Sequence, residues 1–420
     1  MTLQALNYWI AVVLMCCCSH WAQAQRTLTF GEAQDAMRRN NLLLLAEQYN
    51  ISAAEANVIQ ARIWELPVAS GEINLINPED KRVFDAGTNG QKALAIQQLI
   101  YLGGKKKAEV EFAKSNVGIA RLQFEQLLRN LRLQLGQSFY TAFYDLRRLR
   151  RIDDQIHILD TLLSNYQSQT DKGNVPLKEL VRLEALELNL RSNRTELSRE
   201  ILENRRLLSL LTAIPEEVTP QVPDAQLSER LQLPLMSRDS TVSYALANNL
   251  EYLTSQRIAE SQELRLRWQR TLAIPDLTTG LSYDQRGGAF ANQVNLTVGI
   301  PIPLWNRNRG NIKEAQARLT QSTYESTYKR SEIATLAASQ YDIWTQENKQ
   351  LANISPEILA NLETVYQGMV TNFQRRNISL LEFTDFMESY NQSINQFNEI
   401  RKGWILAGLS LENTLNLNLF

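Results

Sequence analysis

Between Lys105 and Asp171 the chain carries apolar residues at alternate steps of four and three. The series runs Val110, Lys114, Val117, Arg121, Phe124, Leu128, Leu131, Leu135, Ser138, Ala142, Asp145, Leu149, Ile152, Ile156, Leu159, Leu163 and Tyr166, and thirteen of these seventeen are apolar. A spacing of 3.5 residues makes a narrow seam and predicts a coiled-coil helix. At 1.5 Å per residue such a helix is a rod of roughly 100 Å. Leu177 to Thr212 predicts a return helix, with a seam at Leu186, Leu190, Asn193, Leu197, Ile201, Asn204, Leu208 and Leu211. Gly173-Asn174-Val175-Pro176 between the two is a turn signal, since Gly tolerates positive φ and Pro opens a helix.

The pattern is written twice. Asn40, Asn41, Leu42, Gln48, Glu55 and Pro67 recur 208 residues later as Asn248, Asn249, Leu250, Gln256, Glu263 and Pro275. The first repeat, 25–212, predicts a helix from Phe30 to Leu66, strands at about 68–77 and 92–101, the long helix 105–171 and the return helix 177–212. A proline-rich irregular connector takes up 213–236. The second repeat, 237–415, predicts a helix from Ser237 to Ala273, strands at about 277–285 and 293–303, a long helix 309–375 with a kink or break at Ser355-Pro356, and a return helix 380–415. Residues 416–420 form a tail. The strands alternate apolar with small or polar residues, as at Leu277, Thr279, Leu281 and Tyr283, which is the period of a half-buried strand. The first and return helices of a repeat together match its long helix in length, so stacked end to end they bury its seam along the whole rod.

The first 24 residues stand apart. Leu6 to Cys18 is an apolar run and Ala22-Gln23-Ala24 an A-x-A pattern, which predicts a cleaved signal peptide with the mature chain starting at Gln25. Acylation at Cys16, Cys17 or Cys18 is the alternative. All three cysteines of the chain lie in this leader, so the remainder has no thiol or disulfide and is held by packing. After the leader no apolar run reaches the ~18 residues of a membrane helix; a membrane crossing would have to use strands. Four strands do not close a barrel and an open edge is costly in lipid, so a membrane role requires several copies. The alternative is a hairpin pair capping a periplasmic coiled coil.

Charge and chemistry narrow the function. A net charge of −1 gives no bulk basicity for nucleic acid. His157 is the single histidine after the leader, so neither a Ser-His-Asp set nor a tight transition-metal site is predicted. Gly103-Gly104 and Gly287-Gly288 do not make a phosphate loop. No catalytic site, resident metal or cofactor is expected.

The repeat order, the segment Gly173-Asn174-Val175-Pro176-Leu177-Lys178-Glu179-Leu180, and Ile300-Pro301-Ile302-Pro303-Leu304-Trp305-Asn306-Arg307-Asn308-Arg309-Gly310 resemble the TolC family of outer-membrane efflux proteins. The Pro-Leu-Trp-Asn-Arg-Asn-Arg-Gly part is similar to the CzcC-like, heavy-metal branch. The resemblance implies a mainly α fold with a small β part, in which three copies form a 12-stranded β-barrel in outer-membrane lipid and an α-helical coiled-coil tunnel across the periplasm. It implies an exit duct completed by a periplasmic adaptor and an inner-membrane pump, carrying heavy-metal cations or small toxic molecules. A duct for a secreted polypeptide and a non-channel periplasmic coiled-coil protein are the alternatives. By the same resemblance Glu382, Asp385 and Glu179 would ring a periplasmic gate, although Arg182 stands where the first repeat would carry its second carboxylate. The turns Gly173, Asn174, Val175, Pro176 and Arg376, Asn377, Ile378, Ser379 would receive the adaptor.

Overall fold

The computed structural model describes residues 26–77, 81–223, 236–287 and 289–417. In order, the elements are β1 (Arg26–Leu28), α1 (Phe30–Asn40), α2 (Leu42–Arg62), β2 (Val68–Ile73), β3 (Ile76–Asn77), β4 (Arg82–Val83), β5 (Gln91–Ile100), α3 (Lys105–Asp171), α4 (Leu177–Thr212), β6 (Val218–Pro220), α5 (Arg238–Asn248), α6 (Leu250–Thr271), β7 (Leu277–Arg286), β8 (Phe290–Gly299), α7 (Arg309–Ala352), α8 (Pro356–Gln374) and α9 (Leu380–Leu415). The protein is mostly helical with a small β part. The expected leader and the end of the tail lie outside the described residues. No helix among those described is long and apolar enough to cross a membrane.

The chain divides into two compact units. One holds residues up to 45, 127–249 and 333 onward. Its core is a layer of apolar side chains from the C-terminal half of α3 and from α4, α8 and α9, including Ile156, Leu159, Leu183, Leu190, Phe373, Phe383, Met387 and Ile394. Glu412 is buried in α9 and takes an ion pair from Arg132 at 2.8 Å, with Arg129 at 3.7 Å. A strand appears inside the expected irregular connector: β6 pairs in parallel with β1, Val218 opposite Arg26. Local sequence does not announce so short a strand, because its partner is almost two hundred residues away.

Two expected helices are each broken at an asparagine. Asn41 is extended (φ −66°, ψ 117°) between α1 and α2, and Asn249 is extended (φ −65°, ψ 123°) between α5 and α6. Asn41 is buried; its Oδ1 accepts from the N–H groups of Leu43 and Leu44 and so starts α2, while its Nδ2 donates to the Leu211 carbonyl at 3.0 Å. Asn249 Nδ2 donates to the Thr414 carbonyl at 2.9 Å. Each asparagine thus ties the start of one helix to the last turn of a return helix, satisfying end groups that a helix cannot satisfy itself. An amide in a helical stretch reads as an ordinary surface residue, and this is why one continuous helix was expected. α7 and α8 separate where Ser355 caps and Pro356 takes a position that needs no N–H.

The other unit holds residues 46–126 and 250–332. Its sheet has the order β2-β5-β7-β8 with every neighbour antiparallel. The expected first strand stops at Ile73, and Ile76–Asn77 pairs instead with Arg82–Val83 as a small separate hairpin. The expected last strand stops at Gly299, because Pro301 and Pro303 have no N–H to give a ladder. Against the first turns of α3 lies α6, antiparallel, with Phe112 stacked on Trp268 at 5.7 Å and Ser261 bonded to Ser115 and Asn116. Lys105 is buried in an ion pair with Asp276 at 2.6 Å.

Candidate functional site

Two regions carry the features that a role must explain, and each lies within one unit. The first is the sheet. Pairing puts Ala69, Ile96, Leu281 and Leu296 in one row and Gly71, Leu94, Tyr283 and Val294 in the next, all on one face. The opposite face carries Ser70, Ala95, Ser282 and Asn295, then Glu72, Ala93, Asp284 and Gln293. The aliphatic side chains of this face are bare, with exposure from 52% at Ile96 to 73% at Leu296, while Tyr283 is half-buried. A contiguous apolar face of this kind marks contact with a partner or a membrane. β2 and β8 are both edges. A sheet with one apolar face, one small polar face and two unpaired edges is what one segment of a lipid-embedded barrel requires.

The second region is where the paired helices turn. The turn from α3 to α4 puts Gly173 at φ 75°, with Gly173 N–H donating to the Thr170 carbonyl and Asn174 N–H to the Gln169 carbonyl, both at 2.9 Å. The turn from α8 to α9 puts Arg376 at φ 62°, with Arg376 N–H donating to Phe373 and Asn377 N–H to Asn372. The side chains repeat as well: Asn174 Nδ2 donates to Gln169 Oε1 and Asn377 Nδ2 to Asn372 Oδ1. These are helix ends closed by a left-handed residue, a device that satisfies the last carbonyls. Gly173, Asn174, Pro176, Arg376, Asn377 and Ser379 are exposed, whereas Val175 and Ile378 are half-buried, with Ile378 packed on the apolar layer.

Tyr166 of α3 stacks on Phe373 of α8 at 5.9 Å, and Phe373 lies on Phe383 of α9 at 4.3 Å. Burial pushes the Tyr166 hydroxyl up, and the Glu179 charge adds to this while Arg376 opposes it. The two turns therefore sit at one end of the unit, within electrostatic reach of one phenol. Of the expected gate residues, Asp385 is exposed and Glu179 half-buried. Glu382 is exposed too, but it is engaged locally. Its carboxylate accepts from the Ser379 N–H and hydroxyl, which hold it below the usual carboxylate range. It closes a capping box at the start of α9.

One cluster was not foreseen. Tyr390 of α9 donates to Glu363 of α8 at 2.9 Å, and Arg151 of α3 reaches the same hydroxyl at 3.5 Å. Tyr366 stacks on Tyr390 with centroids 4.5 Å apart. Burial raises both phenols, Tyr366 to about 12, with Glu363 adding to the effect. Local sequence does not reveal that the Tyr390 hydroxyl joins three helices. His157 is exposed, and no group of three metal-ligating side chains occurs among the described residues.

No family model matches the chain. In sequence it is similar to the cobalt-zinc-cadmium resistance protein CzcC of Cupriavidus metallidurans, 20% identical over 374 residues that cover 88% of this chain and 86% of that one. In structure it is similar to CusC, a transmembrane channel, with a TM-score of 0.72 at 17% identity over 93% of this chain and 92% of the other. It is also similar to the outer-membrane channel CmeC of Campylobacter jejuni, with a TM-score of 0.69 at 14% identity over 92% and 85%. Seam helices, a four-stranded sheet bare on one face and these likenesses give the chain the fold of channel proteins such as CusC and CmeC, and its sequence is similar to that of CzcC.

Proposed function

We propose that this protein is the exit duct of a tripartite efflux system, a passive channel in the outer membrane with a long periplasmic extension. The observation that carries the reading is the sheet: two free edges, an apolar face largely bare to its surroundings and a face of serine, alanine, asparagine, glutamine and the acids Glu72 and Asp284. Three copies supply twelve strands, enough to close a barrel with lipid outside and water inside. Because β2 and β8 run antiparallel to each other, joining β8 of one copy to β2 of the next continues the antiparallel order. The repeated helix–hairpin–long helix–return helix plan gives each copy two paired helical walls for the tunnel.

The energy step belongs to an inner-membrane pump, and a periplasmic adaptor docks at the turns Gly173–Pro176 and Arg376–Ser379. Asp385 and Glu179, with the capped Glu382, set a negative field at the mouth, which favours cations where the pore is narrow. Heavy-metal cations suit this field and agree with the resistance for which CzcC is named. A chain with one histidine and no cysteine after its leader does not hold such ions tightly, as a conduit must not.

The test is purification from the outer-membrane fraction followed by reconstitution in a planar bilayer. Discrete cation-preferring conductance supports the duct, and recovery as a soluble protein without conductance overturns it.

A further inference from the structure

The apolar face of the sheet is not smooth. Gly71 of β2 has no side chain, and the gap it leaves beside Ile73, Leu94 and Tyr283 is a groove of about 330 Å³. That volume lies within the range of ligand clefts. Ile73 and Leu94 are exposed by 49 and 65%, so the walls are apolar and the groove opens to the surroundings. The Tyr283 hydroxyl donates to Asn292 Oδ1 at 2.6 Å, which fixes the ring as part of the wall.

One end of this groove is cationic. Lys92 lines it, opposite Ile73 on one side and Gln285 on the other. Its ammonium donates to the Ala86 carbonyl at 3.3 Å and forms no ion pair with a carboxylate among the described residues. The acids close to it in sequence are engaged elsewhere. Glu72 lies on the other face and accepts from Gln91, and buried Asp85 accepts from the Gly87 N–H. The hairpin β3–β4, which follows Ile73, repeats the combination: Leu75, Ile76, Val83 and Phe84 are exposed, and so are Lys81 and Arg82. An apolar groove with an unpaired cation at its end suits a chain-like apolar ligand with an anionic head.

We propose that this groove binds a phosphorylated lipid of the outer leaflet, with an acyl chain laid over Gly71 against Leu94 and Tyr283 and a phosphate at Lys92. This rests on the channel reading above and adds a ligand that the conduit keeps rather than carries. The position selects the leaflet. From Lys92 to Ile100 β5 covers about 26 Å, close to the ~25 Å apolar band of an outer-membrane barrel. α3 starts beyond the Ile100 end, so with the helices in the periplasm Lys92 and the hairpin stand at the outer boundary. Lysine holds phosphate as a point charge, and basic pockets beside an apolar surface take anionic lipid head groups. A Cβ on Gly71 would meet Leu94 Cδ2 at 3.5 Å, an ordinary contact. Packing therefore does not require glycine there; the missing side chain makes the room.

The test titrates the full-length protein in detergent micelles with diphosphoryl lipid A, phosphatidylglycerol and phosphatidylcholine, and counts retained lipid by mass spectrometry of the intact complex. Wild type is compared with Gly71→Leu, which fills the groove, and with Lys92→Gln, which removes the charge. Planar-bilayer conductance checks that each variant still forms the channel. The expected result is a preference for diphosphoryl lipid A over the other two lipids. Lys92→Gln should weaken it about fivefold, the weight of one basic residue at a lipid surface, and Gly71→Leu to a similar extent, with conductance unchanged. A conducting wild type that holds lipid A no more tightly than phosphatidylglycerol, or conducting variants that hold it as wild type does, overturns the site and leaves the channel intact. Should Gly71→Leu fail to conduct, Lys92→Gln decides alone. A soluble wild type without conductance overturns the channel reading and this site with it.

Discussion

The carboxylate of Glu382 accepts hydrogen bonds from the backbone N–H of Ser379 at 2.8 Å and from its hydroxyl at 2.9 Å. A residue expected to supply charge to a gate is thereby also the residue that starts α9. The two roles separate by pH. The folded-state pKa of Glu382 lies below the ordinary 4.5, so its contribution to stability is present above that value and is lost as pH falls through the lowered one. Glu382→Gln is expected to lower the melting temperature at pH 7, with the gap to wild type closing in acid. Asp385→Asn should leave melting unchanged and reduce cation preference in bilayers, and unchanged selectivity would remove Asp385 from the pore lining.

The turns offer a matched pair of backbone tests. Gly173 and Arg376 occupy equivalent left-handed positions, at φ 75° and 62°. A side chain there costs about 1 kcal/mol relative to glycine. Arg376→Gly is expected to stabilise the helical unit by about that amount, and Gly173→Ala to destabilise it similarly, in denaturant titrations followed by circular dichroism. Equal midpoints for all three proteins would contradict the turn geometry.

Asp145 of α3 is buried, with Lys402 of α9 at 3.8 Å. Burial outweighs Lys402 and lifts the carboxyl from 3.8 to about 6. A raised acid favours the folded state when protonated, so this stability is full below pH 3.8 and is lost as pH rises through about 6. Asp145→Asn should therefore stabilise the protein at pH 8 by roughly 1–2 kcal/mol, after allowance for solvent screening. The advantage should vanish by pH 4, as read from thermal melts across the range. A variant that melts lower at pH 8 would mean that the pairing with Lys402 dominates.

The two faces of the sheet should respond oppositely to one charge. Leu281 lies in the row Ile96–Leu281–Leu296, and its neighbour Ser282 points to the other face, opposite Ala95 and Asn295. Leu281→Arg places a cation toward lipid at a cost of about 2–4 kcal/mol near mid-bilayer, and should deplete the protein from the outer-membrane fraction. Ser282→Arg should assemble normally and lower cation conductance. Equal assembly of both variants would show that the apolar face does not meet lipid.

Sequence by itself determined the class of this protein. Heptad seams, alternating strands and turn residues are local signals, each set by how one element must bury one face, and they gave a mostly helical chain with a few strands. The motif segments also carried the resemblance to the TolC family. Tertiary structure decided what local periodicity does not encode. Asn41 and Asn249 break helices because their amides reach Leu211 and Thr414, far along the chain. β6 exists because β1 lies beside it. The Arg151–Tyr390–Glu363 cluster, and the binding of Glu382 to Ser379 rather than its standing free, likewise depend on which atoms meet. A hydrogen bond is formed at a distance of about 3 Å between specific atoms. A seam specifies a face, and only the packed helices fix which polar groups on it find each other.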